Sequence, residues 1–160
     1  MVRDYDLEID IKTIQEYMHN TVLITTLSSK KSNVGGWQSP VYWSWSDELK
    51  ELQTFVEKQI PEYTLQSLWY NSNGYGDYNL MHDHHPQEID AVSGVYYIEV
   101  PDENMGKIYF ETGEEYEPKE NRLLLFPADL RHGVRKNESR RRRISLAFNY
   151  MKITKSGITI

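Results

Sequence analysis

This sequence predicts a mainly β fold: a jelly roll of antiparallel strands backed by one or two N-terminal helices. Three observations point there. From Thr64 onward, short β-prone runs follow one another with only turn-forming segments between them. Tyrosine is abundant, 12 residues alongside 4 Trp, and Tyr-rich, β-branched segments favour strands. A single clear amphipathic helix precedes this run. At 160 residues the chain reads as one domain, 1–160, large enough for a substantial core.

In chain order, an extended start (Tyr5 to Ile9) leads to a short helix around Ile11 to Met18 and a β-like run from Val22 to Leu27. Residues 28–40, SSKKSNVGGWQSP, read as loop by composition, with a Gly-Gly pair and Pro40. Trp37, Trp43 and Trp45 beside it suggest a small hydrophobic anchor. The clear helix covers about Ser46 to Ile60, where Leu49, Leu52, Phe55, Val56 and Ile60 form an apolar stripe. Ser44 or Ser46 suits its cap, Asp47 and Glu48 its positive end, and Pro61 lies just beyond it. Its expected role is to cover a sheet. Strands are then expected over 64–71, 77–84, 92–100, 107–112, 122–127, 133–136 and 143–153, separated by NSNGYG, PDENMG, GEEYEP and KNES.

There are no cysteines, which excludes disulfides, zinc-thiolate sites and cysteine catalysis. No apolar run reaches the roughly 20 residues of a bilayer span, and MVRDYDLEID is too acidic for a secretory signal. The expectation is a soluble, cytoplasmic protein. The net charge is −6, yet RHGVRKNESRRRR (131–143) carries seven Lys/Arg and one acid. Such a patch on an acidic chain suggests an anionic ligand nearby more than bulk nucleic-acid binding.

Three of the five histidines, His82, His84 and His85, fall within four positions, just ahead of an apolar β-type run. On a regular strand His82 and His84 project to one face and Asp83 to the other. His132, in LRHGV, is the distant candidate to join them. A facial iron site of two His and one carboxylate would need Asp83 at the middle position, so three arrangements stay open. His82, His84 and His132 make the simplest set; a bulge at 82–85 would present Asp83 with His82 or His85; or one position belongs to an exogenous ligand. Further on, Arg143 and Ser145 share a strand face opposite Ile144 and Leu146. A guanidinium beside a hydroxyl is a carboxylate clamp, and a partly buried Arg143 requires an anion. Arg140 and Arg142 read as a solvated basic face.

These residues resemble those of the Fe(II)/2-oxoglutarate-dependent dioxygenases, in particular the small phage and bacterial oxygenases related to prolyl hydroxylases. The resemblance runs through SNVGGWQS (32–39), LWYNSNGYGDYNLMHDHHP (68–86), SGVYYIEVP (93–101), GKIYF (106–110), LLLFPADLRHGV (123–134) and RRISLAFN (142–149). It implies a double-stranded β-helix, Fe(II) as cofactor, and 2-oxoglutarate and O2 as co-substrates. By the same resemblance His82 and His132 are iron ligands, and Arg143 with Ser145 clamps the distal carboxylate of 2-oxoglutarate. Asn71, Asn79 and Asn149 fall on motif positions that contact the co-substrate or order the site. The departure is the middle ligand: the wider superfamily has His-x-Asp, whereas here His82 is followed two residues on by His84. Tyr96 and Tyr97 are expected to point one inward and one outward. Two rival readings accompany this one. The first is a three-His metal enzyme without 2-oxoglutarate, an iron dioxygenase or a zinc hydrolase. The second is a non-catalytic jelly-roll binding module. The primary substrate is not legible, and the cationic rim (Arg135, Lys136 and Arg140 to Arg142) suggests an anionic one.

Overall fold

The structure is a computed structural model and describes residues 1–25 (for Thr25 the backbone only), 33–83 and 90–152. Two antiparallel sheets face each other. Their strands in chain order are β1 (Arg3–Asp6), β2 (Asn33–Val34), β3 (Trp37–Gln38), β4 (Tyr63–Asn73), β5 (Tyr78–His82), β6 (Ala91–Glu99), β7 (Ile108–Phe110), β8 (Glu115–Tyr116), β9 (Arg122–Pro127), β10 (His132–Val134) and β11 (Arg143–Lys152). The larger sheet runs β1-β9-β6-β11-β4-β3 and the smaller β2-β5-β10-β7-β8. Neighbours in space are mostly distant in sequence, the interleaving expected of a jelly roll.

Period-2 alternation along β11 separates core from site. Ile144, Leu146, Phe148 and Tyr150 join a core on the outer face of the large sheet. There they meet α1 (Ile11–Tyr17) and α3 (Lys50–Gln59) through Ile14, Leu52 and Val56. Close packing on this face leaves no room at Gly94, where an added Cβ would stand 2.1 Å from the Phe148 ring. Hydrogen bonds tie the layers: Trp45 Nε1 donates to the Tyr150 hydroxyl at 2.8 Å in the core, and that hydroxyl donates to Glu57 at 2.8 Å. Arg143, Ser145, Ala147 and Asn149 point the other way, into the space between the sheets.

Most expected strands form, with ends shifted by a few residues. The helix expected over 46–60 begins as a 3-10 turn, Asp47–Leu49, and continues as α3. Ser46 holds the cap position without a side-chain capping bond. The β-like run at Val22 is different: α1 continues through a wide turn, Met18–Val22, into α2 (Leu23–Thr25). Ile14, Met18 and Val22 are buried in the same core, so a four-residue spacing onto the sheet overrides β-branched propensity. Residues 33–38, read as loop, supply β2 and β3, and the GEEYEP turn supplies β8. Trp45 is buried as an anchor, whereas Trp43 is exposed.

Candidate active site

His82 ends β5 and His132 begins β10, and the two are direct cross-strand partners. Their ring centroids lie 4.5 Å apart. Each imidazole is tethered in the same way: Nδ1 bonds the backbone carbonyl two residues earlier, Leu80 O for His82 at 2.7 Å and Leu130 O for His132 at 3.0 Å. A carbonyl only accepts, so the proton sits on Nδ1 and Nε2 carries the lone pair of the neutral ring, the tautomer a metal ligand needs. His132 is buried against Phe126 and Phe110, at centroid distances of 4.9 and 5.8 Å. Burial holds the half-buried His82 below the usual histidine pKa, against weaker opposing pulls from the Leu80 carbonyl and Asp83. His82 therefore favours the neutral form.

Register explains how β5 aims its side chains. Opposite His132 and Val134, two residues apart, stand His82 and Asn79, three apart. This is a β-bulge, placed at Leu80–Met81; the bulge considered at 82–85 extends beyond the described residues. Without it, Asn79 and His82 would face opposite sides of the sheet; with it, both line the cavity. Asp83 is exposed at the edge of the same cavity. His84 and His85 lie outside the described residues. Among the described residues no group of three His, Cys, Asp or Glu is arranged to hold a metal.

The cavity measures about 650 Å³ and reaches from the histidine pair to Arg143, Ser145, Asn71, Asn79 and Asn149. Arg143 is 3% exposed. Its Nη1 donates to the carbonyls of Gly106 at 3.0 Å and Met105 at 3.3 Å, but its Nε has no hydrogen-bond partner. Gly106 makes this approach possible at φ +95°, where an added Cβ would also strike the Arg135 carbonyl at 2.4 Å. The nearest ring is Tyr97, 5.8 Å from the guanidinium carbon, and no carboxylate pairs with Arg143 among the described residues. Burial pulls Arg143 below the ordinary arginine value, with Tyr97 opposing. A buried guanidinium with an unsatisfied N–H and no counterion is costly unless an anion joins it.

Asn71 and Tyr97 are the cross-strand partners of Ser145 on β4 and β6. Asn149 accepts a bond from the Ser93 hydroxyl at 2.5 Å, and Asn79 one from Asn73 at 3.4 Å. Tyr97 faces the cavity, while Tyr96 faces the helices and bonds Asn121 at 2.5 Å. Gln38, buried on β3 opposite Asn71, also lines the cavity. The sequence reading passed over it because a two-residue strand is too short to show a period.

Among the described lining residues, Arg143 is the one cation that the basic run 131–143 contributes. Its neighbours are occupied elsewhere. Arg135 pairs with Glu115 at 2.6 Å, Arg141 with Asp102 at 3.9 Å, and Arg142 donates to Ser72 Oγ at 2.8 Å. Arg140 and Lys136 sit over the rings of Tyr75 and Tyr78. Arg135 and Lys136 border a separate groove that also holds Glu115, Glu117 and Glu138.

Comparison with known proteins bears on the family and the fold. Residues 110–149 match the model of a family described as "Putative 2OG-Fe(II) oxygenase", a segment that includes His132, Arg143, Ser145 and Asn149. No curated protein matches the chain in sequence. In structure it is similar to a viral collagen prolyl hydroxylase from Paramecium Bursaria Chlorella virus-1 solved with 2OG, with TM-score 0.73 and 12% identity over 95% of this chain and 96% of that one. A Trichoplax adhaerens prolyl hydroxylase in complex with a hypoxia inducible factor peptide fragment gives 0.73 and 15%, over 95% and 83%. HygX from Streptomyces hygroscopicus, with nickel and 2-oxoglutarate bound, gives 0.70 and 12%, over 94% and 82%. The fold is therefore the double-stranded β-helix of these oxygenases. The family match covers residues 110–149, and the structural likeness covers nearly the whole fold.

Proposed function

We propose that the chain is a non-haem Fe(II)- and 2-oxoglutarate-dependent dioxygenase of the hydroxylase type. In that reaction 2-oxoglutarate, O2 and a C–H substrate become succinate, CO2 and a hydroxylated product. The observation that carries the reading is Arg143, a buried cation with an unpartnered Nε and no counterion among the described residues, in the cavity that also holds the His82/His132 pair. Arg143 binds the distal carboxylate of 2-oxoglutarate through charge-assisted bonds, and Ser145 adds one from the same face. His82 and His132 hold the iron, their lone pairs set by the carbonyl tethers; Asp83, His84 or His85 supplies the third ligand. Bound iron contributes the redox chemistry, while Tyr97 and the asparagines Asn71, Asn79 and Asn149 shape and order the pocket around the co-substrate.

Anaerobic titration with Fe(II) and 2-oxoglutarate tests this. A weak visible charge-transfer band that needs both components is expected, and it is lost in His132→Ala. Metal binding without the band would replace the reading by the three-His enzyme, and no metal binding by the binding module.

A further inference from the structure

We propose that the open end of the cavity takes a ligand with a flat apolar group and no negative charge, and that Trp43 is the surface on which this group stacks. The inference rests on the proposed function, because it assigns Arg143 to the co-substrate. Trp43 lines the cavity and is 76% exposed, on the ridge between it and a shallower groove along α3. An indole left in water forgoes the free energy of burying its ring, which a ligand face would recover.

Its mount is rigid on both sides. Tyr42 exchanges two backbone bonds with Leu68, each 2.8 Å, and its ring packs edge-on against Tyr70 in the core, 5.9 Å between centroids. Two residues on, Trp45 is buried and bonded to Tyr150. Between these fixed neighbours Trp43 turns to the opposite side, toward the cavity. A held aromatic ring stacks at low entropic cost.

Charge narrows the class. Besides Arg143, no Lys or Arg lines the cavity among the described residues; Trp43 lines it together with Val41, Gln66 and Trp69, and Asp83 is an anion. With Arg143 assigned to 2-oxoglutarate, a second anion has no cationic partner there among the described residues. The other cations of 131–143 do not line this cavity.

Three probes with one ring and different charge separate the possibilities: indole-3-acetamide (neutral), tryptamine (cationic) and indole-3-acetate (anionic). Equilibrium dialysis against the anaerobic protein with Fe(II) and 2-oxoglutarate is expected to show the first two binding at least tenfold tighter than the third. Trp43→Ala is expected to weaken indole-3-acetamide about tenfold, Trp43→Phe much less, and neither to alter the 2-oxoglutarate requirement. Equal or tighter binding of indole-3-acetate, no binding of any probe, or an unchanged Trp43→Ala would overturn the proposal. The charge-transfer band is read in the same samples. If it is absent, the proposed function fails; if it is present without charge discrimination, this inference alone fails.

Discussion

At the scale of single residues, Arg143 makes the proposal quantitative. Among the described residues its buried guanidinium has neither a counterion nor a partner for Nε, so the protein without co-substrate carries an unrelieved desolvation cost of about a few kcal/mol. Arg143→Met should therefore be at least as stable as wild type when no 2-oxoglutarate is present. Adding 2-oxoglutarate and metal should raise the Tm of wild type and leave that of the variant unchanged. A variant that melts well below wild type in the absence of ligand would mean that Arg143 is structural. This residue was legible in the sequence because strand alternation alone sets Arg143 and Ser145 against Ile144 and Leu146. The partners of the other cations were not legible: Glu115, Asp102 and Ser72 reach Arg135, Arg141 and Arg142 only through the folded register, so the basic run looked like one patch.

At the scale of elements, β5 shows where a periodic code stops. Alternation assumes regular pairing, and whether a bulge forms depends on the partner strand, which lies some fifty residues away in β10. The bulge brings Asn79 and His82 to one side, and its Leu80 carbonyl tethers the imidazole. Deleting Met81 restores regular pairing and keeps His82 facing inward, but it removes that tether. Metal affinity should then fall roughly 10–100-fold, the usual effect of losing such a support, with the fold retained by circular dichroism. Unchanged affinity would show that the tether does not matter. The helical continuation at Met18–Val22 has a simpler lesson. Ile14, Met18 and Val22 repeat every four residues, a signal present in the sequence but masked by the β-branched VLITTL that overlaps it.

At the scale of the molecule, the order of strands was the least legible feature, since β6, β9 and β11 become neighbours through long-range pairing alone. Their arrangement divides the cavity between two unlike walls. The larger sheet has strands of 11, 10 and 9 residues (β4, β11 and β6) and a helical backing. The smaller is built from strands of five residues or fewer, and the helix side chains in the main core all pack on the other sheet. Arg143 belongs to the stiff wall; His82 and His132 belong to the thin one. Short strands without helical cover among the described residues open at lower free energy than long, covered ones, so backbone amides of β5 and β10 should exchange with deuterium well before those of β11. Loading and loss of a metal would then require only the thin wall to breathe, while the anion-binding wall kept its shape throughout.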